Sequence, residues 1–279
     1  MRVFVAGCGT MGSGIAQVFA SYGHETIMYD RTEDLVERGF AAIDKQLARL
    51  LEKGRISQEG KDSLVSLLTR STVLEDAKGA DLVIEAIFED LEAKRDLFTR
   101  LDALCGSDCL FASNTSSLSI SDLAAGLSHE ANFLGMHFFN PAPVMKLVEL
   151  IRGKASSAET MDRAAALVRS IGKEPVFCEE SPGFIVNRLL IPMINEAVNL
   201  LDQKIATAED IDQAMKLGAN HPMGPLALAD FIGIDIVRDI MVIICQGTGD
   251  DKYAPSPLLD RMVEEGKLGR KSGQGFYTY

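Results

Sequence analysis

Histidine is the side chain best suited to moving a proton near neutral pH, and this chain has four: His24, His129, His137 and His221. His24 falls in a turn before a β-type run and His129 in a polar loop, and both read as surface residues. His221 precedes Pro222 and serves the Asn220-His221-Pro222 turn. His137 is different, because it closes the apolar run Phe133-Leu134-Gly135-Met136-His137-Phe138-Phe139 just before Asn140-Pro141, which stops a strand. The polar run Ser113-Asn114-Thr115-Ser116-Ser117 follows the apolar Leu110-Phe111-Ala112 in the same way. Ligands of an open α/β sheet bind beyond the carboxyl ends of its strands, so both groups are expected to face one site. Plainer readings stay open for each: a hydrogen-bonded core histidine, and a helix N-cap leading into Ile120 to Leu127.

A second constellation lies at the N-terminus. Gly7-Cys8-Gly9-Thr10-Met11-Gly12 is a G-x-G-x-x-G that directly follows the apolar Val3-Phe4-Val5-Ala6 and opens a helical stretch from Ser13 to Tyr22. The first glycine permits a tight turn, the second lets a pyrophosphate approach the backbone, and the third allows helix to pack on strand. The helix start offers N–H groups and a positive dipole end to the phosphates. Asp30 ends the next β-type run, 18 residues after Gly12, where an acid accepts hydrogen bonds from the adenosine ribose. A carboxylate there repels a 2′-phosphate, which favours NAD over NADP, although the adjacent Arg31 pulls the other way.

Positioning these groups takes a layered α/β domain. β-type runs recur at Val3 to Ala6, Glu25 to Tyr29, Leu82 to Ile84, Leu110 to Ala112, Phe133 to His137 and Pro175 to Phe177, separated by helical stretches. That alternation predicts a Rossmann-type, doubly wound, mostly parallel sheet. Between the second and third runs, residues 33–69 carry Leu35, Phe40, Ile43, Leu47, Leu50 and Leu51 at helical spacing with a break at Gly54, which predicts a helical hairpin standing out from the sheet. After Ser181-Pro182-Gly183 helical signals dominate, so the expected domains are 1–181, α/β, and 182–279, all helical. Pro192 interrupts one helical pattern, and Pro222-Met223-Gly224-Pro225 is a turn that starts another helix.

The 279 residues have room for two domains at roughly 100 to 200 residues each. With 47% hydrophobic and 24% charged residues the composition is that of a packed globular protein. A net charge of −12 would repel a nucleic-acid backbone or an anionic membrane surface, so neither is expected as a partner. Cys8, Cys105, Cys109, Cys178 and Cys245 are scattered with no zinc-type spacing, so no metal is expected and a reducing compartment is. Val3 to Gly23 lacks charge, but its glycines at 7, 9, 12, 14 and 23 make it a poor membrane helix; a cytoplasmic protein is expected.

Several longer motifs, taken together and in order, are similar to one family. Ser113-Asn114-Thr115-Ser116-Ser117-Leu118, Met136-His137-Phe138-Phe139-Asn140-Pro141, Pro143-Val144-Met145-Lys146-Leu147-Val148-Glu149, Pro182-Gly183-Phe184-Ile185-Val186-Asn187-Arg188 and Gly269-Arg270-Lys271-Ser272-Gly273-Gln274-Gly275-Phe276-Tyr277 resemble the L-3-hydroxyacyl-CoA dehydrogenases. Within that family the chain is most similar to the stand-alone bacterial 3-hydroxybutyryl-CoA dehydrogenases, from Val3 to Tyr279. The resemblance implies an NAD-dependent oxidoreductase acting on an acyl-CoA, with His137 as catalytic base, Glu149 as its partner, and Ser116 and Asn187 at the reacting oxygen. It further implies Gly7, Gly9, Thr10, Met11, Gly12, Asp30, Glu89, Lys94, Asn114 and Ser116 at the cofactor. Arg49 and Lys53, four apart on one helix face, resemble residues that meet the CoA phosphates; an ordinary solvated face is the alternative. A homodimer through the C-terminal domain is implied as well, and Asn187 would bring the helical half to an active site between the domains. Two other functions stay open: a related dehydrogenase of a free hydroxy or sugar acid, and a non-catalytic dinucleotide-binding protein.

Overall fold

The computed structural model describes residues 1–279, which divide into two compact units, Met1–Glu180 and Ser181–Tyr279. In chain order the first unit runs β1 (Arg2–Ala6), α1 (Thr10–Ser21), β2 (Glu25–Tyr29), α2 (Glu33–Glu52), α3 (Gln58–Ser66), β3 (Leu68–Ser71), β4 (Leu82–Glu85), α4 (Leu91–Asp102), β5 (Leu110–Ser113), α5 (Ile120–Ala124), β6 (Phe133–Phe138), β7 (Leu147–Arg152), α6 (Ala158–Ser170) and β8 (Glu174–Glu179). One eight-stranded sheet has the order β3-β2-β1-β4-β5-β6-β7-β8. All pairs are parallel except β6 with β7. The order reverses between β1 and β4, and the ends of those strands are where a doubly wound sheet binds ligand.

Two strands were not expected from the sequence. β3 is a short edge strand whose Thr69 and Arg70 face solvent, and it takes the last residues of the stretch read as a helical hairpin. β7 lies within the motif around Val148 and runs against its neighbour. The hairpin itself is α2 followed by α3, and it does not simply stand out from the sheet. Thr32 caps α2 by accepting from Leu35 N, Glu33 and Asp34 occupy its positively polarised first turn, and Val36, Ile43 and Leu47 form a buried stripe that joins the same core as Phe19 of α1.

A further correction concerns His129. Expected on the surface, it is 5% exposed: its Nδ1 meets the Asp102 carboxylate, its Nε2 lies 2.8 Å from Gly106 O, and its ring packs on Phe111 at 4.6 Å between centroids. His24 is half-buried, with its ring 5.9 Å from that of Phe19.

The second unit contains α7 (Val186–Asp202), α8 (Ala208–Gly218), α9 (Pro225–Ile232), α10 (Ile234–Thr248) and α11 (Pro257–Glu264) around a core that includes Ile194, Leu226, Val237, Met241 and Leu259. Pro192 lies inside α7. Pro225 occupies the first turn of α9, where its missing N–H costs nothing, while the buried Asp212 accepts from Leu226 N and Ala227 N. No helix is long and apolar enough to cross a membrane.

Candidate active site

The glycine loop is shaped by what surrounds it. Gly7 has φ +103°, a left-handed conformation, and a Cβ there would lie 2.5 Å from Ala86 O at the end of β4. A Cβ on Gly12 would lie 1.8 Å from Gly7 O, whereas one on Gly9 would meet nothing within 4 Å. Two glycines therefore allow the turn to close on itself and on the neighbouring strand, and the third leaves the backbone open to a ligand. No side chain caps the start of α1, so its N–H groups face that opening. Asp30 accepts from Cys8 N at 2.8 Å and from Arg31 N at 2.8 Å, so its carboxylate also ties the loop to the end of β2. Burial, and then the Asp30 charge, push the Cys8 thiol up to about 12, which keeps it protonated and unreactive. A cavity of about 450 Å³ lies beside the loop, lined by Gly7, Gly9, Asp30, Arg31, Phe88 and Arg100 among others. Open backbone, helix dipole, an acid after the end of β2 and an apolar-walled cavity together fit a dinucleotide.

The second constellation is assembled by the strand pair that breaks the parallel pattern. In the β6–β7 register His137 stands directly opposite Glu149, so the two side chains share a face of the sheet. His137 Nδ1 is 2.7 Å from Glu149 Oε2, and His137 Nε2 is 3.2 Å from Ser116 Oγ. The carboxylate is fully buried and the imidazole is 4% exposed. A carboxylate only accepts, so Nδ1 carries hydrogen toward Glu149 and Nε2 is left to exchange a proton on the Ser116 side.

Ser116 sits in the loop after β5. The helix N-cap proposed for the serine run is made by another residue: Ser119 caps α5 by accepting from Asp122 N at 3.0 Å. The loop is fixed from two sides. Asn114 Oδ1 accepts from Phe138 N at 2.9 Å, which ties the end of β5 to β6. Glu89 accepts from Thr115 Oγ1, from Ser116 N at 3.0 Å and from Ser117 Oγ at 2.8 Å. Burial raises the Glu89 carboxyl, but the Lys94 ammonium and the Thr115 and Ser117 hydroxyls outweigh it and leave it below its ordinary value. Lys94 is itself 1% exposed, with Nζ 3.1 Å from Glu89 and 2.6 Å from Glu85. Glu85 escaped the sequence reading, and its only sequence signal is an acid closing the apolar run of β4.

The remaining expected residues lie elsewhere. Arg49 is exposed in the last turn of α2, Lys53 is exposed at its C-cap, and neither lines the cavity beside the glycine loop. Asn187, half-buried, is the second residue of α7 in the other unit.

Comparison with known proteins bears on this geometry. The model of the 3-hydroxyacyl-CoA dehydrogenase NAD binding domain matches residues 2–181, and that of the C-terminal domain of the same family matches residues 183–279. A 3-hydroxybutyryl-CoA dehydrogenase of Clostridioides difficile is 50% identical over 279 residues, covering 100% of this chain and 99% of the relative. The mitochondrial hydroxyacyl-coenzyme A dehydrogenase of Homo sapiens is 42% identical, covering 100% of this chain and 91% of the relative. The crystal structure of an (S)-3-hydroxybutyryl-CoA dehydrogenase from Ralstonia eutropha superposes with a TM-score of 0.96 at 45% identity, covering 100% of this chain and 98% of that one. The chain therefore belongs to the 3-hydroxyacyl-CoA dehydrogenase family, and its first unit is that family's NAD binding domain.

Proposed function

We propose that this chain catalyses the reversible NAD-dependent oxidation of an (S)-3-hydroxyacyl-CoA, specifically 3-hydroxybutyryl-CoA, to the 3-ketoacyl-CoA. The observation that carries the reading is the line Ser116–His137–Glu149, with contacts of 3.2 and 2.7 Å, in the unit that bears the glycine loop. When bound, NAD accepts the hydrogen and electron pair lost from C3 of the substrate. His137 Nε2 takes the proton of the 3-hydroxyl in the same step, and in the reducing direction it returns that proton to the 3-keto oxygen. Glu149 fixes the tautomer and stabilises the imidazolium that forms, as the carboxylate of a catalytic triad does. Ser116 and, in this reading, Asn187 donate hydrogen bonds to the oxygen as charge develops on it. Gly7, Gly9, Thr10, Met11 and Gly12 hold the pyrophosphate, Asp30 the ribose, and Asn114, Glu89 and Lys94 support the loop that meets the nicotinamide end. Arg49 and Lys53, exposed and cationic, meet the phosphates of CoA.

The test is a set of four rates: NADH and NADPH, each with acetoacetyl-CoA and with free acetoacetate. Fast turnover with NADH and acetoacetyl-CoA alone is expected; comparable rates with free acetoacetate would favour a dehydrogenase of free hydroxy acids, and no turnover at all a binding protein. The expected assembly is a two-fold homodimer through residues 182–279, supported by apolar side chains that remain open there, among them Leu189, 71% exposed, and Leu217, 76% exposed. Light scattering that finds a monomer at micromolar concentration would overturn it. The five unpaired thiols fit a reducing compartment, in this reading the cytoplasm.

A further inference from the structure

Glu85 is fully buried, Lys94 nearly so, and together they form an ion pair beneath the active-site loop rather than within it. Desolvating two charges is expensive, and apolar residues of similar volume often serve stability as well or better, so such a pair is weak evidence for stability alone. What distinguishes this pair is where its hydrogen bonds lead. Glu85 Oε1 accepts from Lys94 Nζ and from Ile87 N, both at 2.6 Å, and Oε2 accepts from Ser113 Oγ at 2.7 Å. The β4–β5 register sets Glu85 directly beside Ser113. From there two chains run to one place. Ser113 Oγ accepts from Thr115 N at 3.2 Å. Lys94 holds Glu89, and Glu89 gathers Thr115, Ser116 and Ser117.

We propose that Glu85 is a positioning residue for the reaction: a buried anion that, through Lys94 and Glu89 on one side and Ser113 on the other, fixes the 113–117 loop so that Ser116 Oγ is held against His137 Nε2. The proposal rests on the reading of Ser116 and His137 given above. Glu85 touches neither substrate nor cofactor in it. Each of its bonds is to a donor: an ammonium, a hydroxyl and a backbone N–H. Burial outweighs the other influences and holds its carboxyl above the ordinary value, opposed by Lys94, Ser113 and Ile87 N–H, which all favour the charged form. Converting it to an amide of the same shape removes the charge that balances Lys94, and the ammonium is then drawn to Glu89 alone. Small displacements at a reacting pair have large rate effects, on the order of a hundredfold for an ångström.

The test is a double-mutant cycle in the full-length enzyme, with NADH and acetoacetyl-CoA. Glu85→Gln is expected to lower kcat about tenfold with KM for acetoacetyl-CoA within about threefold. In a Ser116→Ala background the same substitution should lower kcat by less than about twofold, because the group that it positions is already gone. An equal tenfold loss in both backgrounds, or an unchanged kcat in Glu85→Gln alone, would overturn the proposal while leaving the catalytic reading intact. Wild-type kcat in Ser116→Ala alone would instead overturn the role of Ser116, and the proposal with it. Should Glu85→Gln fail to fold, Ser113→Ala removes one arm of the network and is measured in the same two backgrounds, with the same non-additivity expected.

Discussion

Replacing Glu149 by Gln isolates electrostatics from shape. The carboxylate lies 2.7 Å from His137 Nδ1 with no solvent exposure, so water does not screen the pair. With roughly 4 Å between charge centres and an effective dielectric of about 20, a carboxylate favours the imidazolium by about 4 kcal/mol. An amide retains the volume and part of the dipole but not the charge. At about 1.36 kcal/mol per decade, loss of most of that stabilisation lowers kcat about a thousandfold. Folding should survive, since a neutral isostere carries less desolvation cost than a buried anion. The assay follows the loss of NADH absorbance with saturating acetoacetyl-CoA, alongside thermal unfolding and KM for NADH. The expected pattern is a thousandfold fall in kcat with KM for NADH within about threefold, the mark of an interaction made in the transition state rather than in the ground state. If Glu149→Gln keeps more than about a tenth of wild-type kcat while folded, the carboxylate is not stabilising a charged imidazole, and His137 is not the base.

Three other outcomes follow from particular contacts. Ala at both Arg49 and Lys53 should raise KM for the CoA ester about two- to thirtyfold, at about 0.2 to 1 kcal/mol per exposed charge, and flatten its salt dependence; an unchanged KM and salt response would put the CoA phosphates elsewhere. The unmodified enzyme should favour NADH by about tenfold or more in kcat/KM, since 1.4 kcal/mol is a modest repulsion between Asp30 and a 2′-phosphate. Asp30→Ala should narrow the gap, chiefly by improving NADPH, because it removes the charge that repels the 2′-phosphate; equal efficiency with NADPH before mutation would refute the assignment. Asp102, raised by burial but more strongly lowered by Ser128 N–H and His129, sits below its ordinary value of 3.8. The folded chain therefore binds fewer protons there than the unfolded one, so its contribution to stability is complete above pH 3.8 and lost as pH falls through the lower folded value. Urea midpoints of wild type and Asp102→Asn should accordingly converge on acidification, and a constant gap across that range would contradict the assignment.

β1, β2 and β4 were legible as strands because they are short apolar runs, the first two ending at Gly7 and Asp30. β3 was not, since it is four residues long, lies at the edge and exposes two of them, leaving no period-2 signal. His129 was misread for a related reason: its loop is polar in sequence, yet Asp102, Gly106 O and the Phe111 ring come from distant segments, and only tertiary packing puts them together.

β7 is the more instructive omission. Leu147-Val148-Glu149-Leu150-Ile151-Arg152 has four consecutive buried residues, and one is an acid that interrupts the apolar run by which a buried strand is recognised. Local propensity and burial conflict at Glu149, and such conflicts are expected where function overrides packing. The resemblance supplied Glu149 as the partner of His137, but the residues alone could not, because that pairing depends on β7 running antiparallel to β6. A parallel pair in a different register would not set position 137 opposite position 149. The single antiparallel pairing, β6 with β7, thus gives this sheet what its parallel pairs do not: two residues twelve positions apart held face to face, with the imidazole between a buried carboxylate and the Ser116 hydroxyl.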